Sequence, residues 1–194
     1  MVMNRTDRDS YHPALTGPGQ RIVVIGVTGS GKTTLAQQLA RRLGYPYVEL
    51  DALHWDADWT MAPDDVFRER IAQALGGPVW VTDGNYSKAR DLIWGQADTI
   101  IWLDYPLLVN LWRLTRRNIS RVVRHTELWN GNRETFYSAF LSRDSLYLWA
   151  LKSHRKKRRN YSRLFAEPPY AHLTTIHLRS PRAAARWLAS ISSR

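Results

Sequence analysis

The sequence predicts an α/β protein built on a doubly wound parallel sheet, and three observations carry that reading. Strand-like and helix-like segments alternate from residue 20 to the C-terminus, without an internal repeat or a second domain. The first strand, Arg21 to Ile25 (RIVVI), is a continuous β-branched run of the kind buried on both faces, as parallel sheets require. Between it and the first amphipathic helix lies a glycine loop, the connection that offers backbone N–H groups to a phosphate.

The elements follow in order. Residues 1–19 are polar and end in Pro13, Gly17, Pro18 and Gly19, which predicts a flexible N-terminal tail and leaves 20–194 as one domain. Lys32 to Leu43 places Leu35, Leu39 and Leu43 on one helical face, and Gly44 ends it. Tyr47 to Leu50 reads as a second strand, Pro63 to Leu75 as a helix, and Val79 to Thr82 as a third strand. Ser87 to Trp94 is a short helix, Thr99 to Leu103 (TIIWL) a fourth strand, and Leu107 to about Val123 an amphipathic helix. Past a loop at Trp129 to Asn132, helix continues to about Phe165; His172 to His177 is a fifth strand and Pro181 to Ile191 the closing helix.

Composition removes several function classes. Cysteine is absent, which excludes a disulfide framework, a thiolate nucleophile and a Cys-ligated zinc site. No stretch approaches 18 apolar residues and the first twenty residues hold no apolar run, so the expectation is a soluble protein of a reducing cytoplasm with no membrane partner. The net charge is +11, and residues 111–165 account for all of it: fourteen Lys and Arg stand against Glu127, Glu134 and Asp144. That segment faces something anionic, polyphosphate or nucleic acid, or is solvated.

Gly26-Val27-Thr28-Gly29-Ser30-Gly31-Lys32-Thr33 fits G-x-x-x-x-G-K-[ST] in full, between a strand and a helix. Gly26, Gly29 and Gly31 let consecutive N–H groups turn towards one phosphate, with Thr28, Ser30 and Thr34 completing the cradle. Lys32 supplies a cation for the β- and γ-phosphates, and Thr33 a hydroxyl for Mg²⁺. ATP and Mg²⁺ are therefore the expected cofactors.

Other candidates lie at strand ends. Asp83 closes the third strand, where a carboxylate holds the metal's water shell, although Asp-Gly is also a turn signal. Asp51, after the second strand, is the candidate base for an attacking hydroxyl, with His54 as a second choice and Trp55 and Trp59 as stacking surfaces. Asp104 reads as a cap or turn residue before the helix at Leu107. Arg113 and Arg117, four apart, share a helical face and can close on phosphates; Arg116 and Arg124 read as solvated.

On these stretches the chain resembles the adenylate-kinase-like P-loop kinases, and among them the FlaR-type, or DNA topology modulation, proteins. The resemblance spans about 20 to 193 and rests on Gly26 to Thr34, Asp51-Ala-Leu-His54-Trp55, Asp83-Gly-Asn-Tyr86, the arginine helix after Asp104, and Leu178-Arg179-Ser180. It implies a three-layer α/β/α P-loop NTPase fold with sheet order 2-3-1-4-5, which sets Asp83 beside the phosphate loop. It also implies a mobile arginine lid over about 111–165, Arg113 and Arg117 covering the nucleotide, and Arg179 and Ser180 near the base. Adenylate kinases proper carry Asp-Gly-Phe-Pro-Arg, whose arginine grips an acceptor phosphate; Ser87 stands there instead, leaving Lys88 or Arg90 to substitute. Asp51 to Asp58 holds only acidic charge, which suits an uncharged hydroxyl acceptor better than a nucleoside monophosphate.

The function expected is transfer of the ATP γ-phosphoryl group to a small acceptor: a nucleotide, a nucleoside or another hydroxyl compound. The alternative is an ATPase or nucleotide-switched protein whose basic segment binds nucleic acid.

Overall fold

A computed structural model describes residues 18–123 and 158–192, with side chains to Ser120 in the first stretch. Most of the expected tail, the loop at Trp129 to Asn132, the Arg121 side chain and the basic residues from Arg124 to Lys157 lie outside the described residues.

The strands are β1 (Arg21–Gly26), β2 (Tyr47–Glu49), β3 (Trp80–Asp83), β4 (Thr99–Leu103) and β5 (Thr174–Leu178). The helices are α1 (Lys32–Leu43), α2 (Leu50–His54), α3 (Asp64–Ala74), α4 (Arg90–Gln96), α5 (Leu107–Val123), the helical stretch 158–164 (α6) and α7 (Pro181–Ser190). All strand pairs are parallel, and the order is β2-β3-β1-β4-β5, as the resemblance implies.

Why β1 sits at the centre follows from its residues. Ile22 and Val24 join one apolar cluster with Leu35, Leu39, Leu43 and Trp187 of α1 and α7; Val23 and Ile25 join the other with Phe67, Ile71, Ile93, Tyr161 and Leu164 of α3, α4 and α6. All four β1 side chains are fully buried. At about 1.5–3 kcal/mol for each such side chain, only a strand covered on both faces returns that gain, so the β-branched run selects the middle of a three-layer sandwich.

Two elements depart from the sequence expectation. β2 ends at Glu49, and Leu50 opens the short helix α2 instead of closing the strand. The expected helix from Ser87 to Trp94 is a 3₁₀ turn (Ser87–Ala89) followed by α4. Leu50 explains the first difference, because its fully buried side chain is drawn into the cluster beneath α3, which pulls the chain out of the sheet after three residues.

The candidate phosphate-transfer site

The phosphate loop leaves β1 at Gly26 and enters α1 at Lys32, so its N–H groups gather at the N-terminus of a twelve-residue helix. Gly29 (φ 81°) and Gly31 (φ 85°) occupy the left-handed region, where a Cβ is strained. Space argues the same way: a methyl group at Gly29 would strike the Asn110 backbone oxygen, and one at Gly31 the Arg113 guanidinium. Thus α5 leans on the loop and Arg113 lies over its last glycine. Lys32 and Thr33 are half-buried, Thr34 is exposed, and Ser30 is buried with its hydroxyl unpartnered.

Thr33 and Asp83 meet. The Thr33 hydroxyl donates to Asp83 Oδ2 at 2.8 Å, and Tyr47 of β2 donates to Oδ1 at 2.5 Å. Asp83 is 4% exposed, and that burial pushes its carboxyl above the ordinary range, opposed first by the nearby Lys32 ammonium and then by the two hydroxyl donors. Burial and the adjoining carboxylate push the Tyr47 phenol up as well, so it remains a neutral donor. Tyr47 is a site residue that sequence reading missed, since only the β2 to β3 pairing brings it here.

Glu49 is the register partner of Asp83, and Asp51 lies two residues further, in the first turn of α2. The Tyr86 hydroxyl donates to Asp51 Oδ1 at 2.5 Å. His54, at the other end of α2, is ringed by Trp55, Phe67 and Tyr86 at centroid distances of 5.0, 4.8 and 4.9 Å. Its Nδ1 is buried without a partner, and burial lowers its pKa despite the attraction of Asp51 and Asp64. An imidazole held neutral in this way packs against Tyr86 and so supports the residue that orients Asp51. The loop that follows carries Asp58 (φ 55°) and Trp59 (φ 54°) in the left-handed region with no glycine to ease it, and stacks Trp59 on Trp55 edge to face at 5.6 Å.

The cations of this edge are engaged. Arg68 forms a forked pair with Asp91 at 2.9 and 2.6 Å, holding that carboxyl down at about 2. Arg70 meets Asp56 at 3.0 Å, Lys88 meets Asp64 at 2.9 Å, and Arg90 lies over the Trp94 ring. Lys88 and Arg90, the two residues expected to stand in for the acceptor-phosphate arginine, are thus both engaged by this chain.

On the far side of β1, Asp104 differs from its reading as a helix cap. Its buried carboxylate pairs with Arg158 Nε and contacts His177 Nε2, each at 3.0 Å. Arg116 is exposed, as expected of a solvated residue, and Arg117 has its guanidinium 3.4 Å from Asn118 Oδ1. Arg179 is exposed just after β5, and Ser180 accepts from Ala183 N–H as the cap of α7. Of the sequence candidates, Gly26 to Thr33, Asp51, Asp83 and Arg113 gather at one edge of the sheet.

A family profile described as AAA domain (AAA_33) matches residues 22–140, more than half of the chain. The chain belongs to this family. Curated relatives are similar to it at lower identity. A shikimate kinase of Synechococcus elongatus is 28% identical over 151 residues, covering 63% of this chain and 76% of that protein. A shikimate kinase of Cereibacter sphaeroides is 26% identical over 169 residues, covering 77% and 80%. A gluconokinase of Gluconobacter oxydans is 61% identical over 33 residues, 17% of this chain and 18% of that protein. With its sheet order and phosphate loop, this AAA-domain member is an ATP-dependent kinase of the P-loop class. Among the described residues no helix is long and apolar enough to cross a membrane.

Proposed function

We propose that this kinase moves the γ-phosphoryl group of ATP to a hydroxyl of a small, uncharged acceptor, with Asp51 as the proton acceptor. The observation that carries the reading is the placement of Asp83 at the end of β3 and of Asp51 two residues past the end of the adjacent β2, each fixed by a tyrosine hydroxyl, with Asp83 bonded to the phosphate-loop threonine. The acceptor oxygen forms the new bond to Pγ while the bond from Pγ to the β–γ bridging oxygen breaks, and ADP departs with that electron pair. The acceptor's proton passes to Asp51, whose Oδ1 is already held by Tyr86.

Thr33 and Asp83 would hold Mg²⁺: a hydroxyl and a carboxylate are the hard oxygen donors it takes, and their mutual hydrogen bond keeps them together. The ion would neutralise charge on the β- and γ-phosphates. Lys32 and Arg113 add positive charge from this chain, Arg113 already lying against Gly31, and Arg117 and Arg179 extend the nucleotide surface.

The acidic run from Asp51 to Asp58, with Arg70 paired to Asp56, favours an uncharged acceptor over a phosphate ester. The finer likeness to FlaR-type proteins, the reading of 20–194 as one domain and a cytoplasmic setting belong to the same proposal. The rival is an ATPase whose basic segment binds nucleic acid, favoured by the concentration of the +11 charge within residues 111–165.

Incubation with γ-labelled ATP, Mg²⁺ and a panel of sugars, polyols, nucleosides, hydroxy acids and nucleotides separates these readings. ADP formed only with one uncharged hydroxyl compound, with label on that compound, supports transfer. Label released as inorganic phosphate without an acceptor, together with low-salt binding to DNA, supports the rival.

A further inference from the structure

Asn85 pairs with both backbone polar atoms of a single residue, Gly26. Its Nδ2 donates to the Gly26 carbonyl at 2.5 Å, and its Oδ1 accepts from the Gly26 N–H at 3.3 Å. The reason lies in the ladder. β1 and β3 remain paired through Val24 and Asp83, with Gly84 N–H donating to Val24 carbonyl at 3.3 Å. Two residues on, the Gly26 groups point the same way but β3 has ended, and the Asn85 carboxamide takes the place of the next strand residue.

Asn85 Oδ1 also accepts from the Tyr161 hydroxyl of α6 at 2.9 Å. Tyr161 is buried, stacked on Phe165 at 6.2 Å and edge-on to Trp102 at 5.8 Å, so the ring has a fixed position. One turn earlier, Arg158 reaches Asp104 beyond the end of β4. α6 therefore reaches Asn85, beside Gly26, and Asp104, beyond the end of β4, while α5 touches Gly29 and Gly31. The helices at the two ends of the basic segment thus meet the phosphate loop, α5 directly and α6 through Asn85.

We propose that Tyr161 and Asn85 form a latch that positions the phosphate loop for ATP, so that nucleotide affinity depends on the docking of α6. The proposal rests on the reading of this loop as the ATP site, and both are positioning residues. Tyr161 fixes the carboxamide, and the carboxamide fixes the backbone of Gly26, from which the loop begins.

Tyr161→Phe keeps the ring and its packing and removes one hydroxyl; Asn85→Ala removes the whole clamp. The measurement is the dissociation constant for a non-hydrolysable ATP analogue with Mg²⁺, alongside thermal unfolding. Tyr161→Phe is expected to weaken binding roughly three- to tenfold and Asn85→Ala more than tenfold, the scale of one or two lost buried hydrogen bonds. Binding by Tyr161→Phe within twofold of the wild type, whatever its melting temperature, overturns the latch and leaves Tyr161 a packing role. Absence of analogue binding by the wild type overturns the ATP-site reading and the latch with it. Where Asn85→Ala does not fold, Tyr161→Phe decides alone.

Discussion

The donor and acceptor sides of this site are built by different means. The donor side is a backbone cradle served by side chains of its own motif: loop N–H groups, glycines at positive φ and the clamped Gly26 are joined by Lys32 and Thr33. The proposed acceptor side is assembled from side chains of distant elements, Asp51 from α2, Tyr86 from the turn after β3 and Phe67 from α3. Backbone cradles tolerate few sequences and leave a motif. Side-chain assemblies can change acceptor without disturbing the fold, and leave none.

Lys32→Ala should break the donor side most severely. Turnover is expected to fall by about 10³-fold or more, because the ammonium answers charge on the transferring phosphoryl group. Assay of ADP formation checks this, and surviving activity would remove Lys32 from the donor role.

Next in size is the contrast between two glycines. Gly29→Ala sets a Cβ against the Asn110 backbone oxygen at φ 81°, whereas Gly44→Ala, at φ 69° behind α1, meets nothing within 4 Å. Strain alone predicts about 1 kcal/mol for Gly44→Ala; strain with a backbone collision predicts roughly 2–4 kcal/mol for Gly29→Ala. Denaturant unfolding measures both, and equal costs would show that α5 yields easily.

Arg68→Met probes the acceptor side. Since its guanidinium is occupied by Asp91 at the surface, transfer should change less than about threefold and stability should hardly change. A large rise in acceptor KM would assign Arg68 to acceptor binding and point to an anionic substrate.

The smallest effect expected is one of pH. Burial lowers the His54 pKa in the folded state, so the unfolded chain takes up its proton first as pH falls. The stabilising contribution is complete above the ordinary histidine range and is lost as pH drops through about 6.5 towards the folded value. Melting temperatures between pH 7.5 and 5 should fall less steeply for His54→Phe than for the wild type.

Much of this was legible in the residues. RIVVI announced a central strand, and the glycine motif announced the donor site, because both signals are local and periodic. The strand order came from resemblance and matches the sheet observed. Asp51 and Asp83 stood out as carboxylates at strand ends. The rest depends on tertiary contacts: α2 forms because Leu50 is buried, and Asp58 and Trp59 adopt positive φ with no glycine to signal it. Tyr161 reaches Asn85 across 76 residues, a separation at which no spacing rule operates. The engagement of Arg70 and Lys88 also required the fold, since the stretch from Asp51 to Asp58 looked purely acidic.

The division into a donor side and a separate acceptor base is tested most directly by Asp51→Asn. Transfer to the acceptor identified from the panel and affinity for the ATP analogue are measured on the same preparation. Transfer should fall by about 10²- to 10⁴-fold while analogue binding stays within about twofold, as loss of a general base alone requires. A matched loss of both, or transfer that persists, would contradict Asp51 as the base.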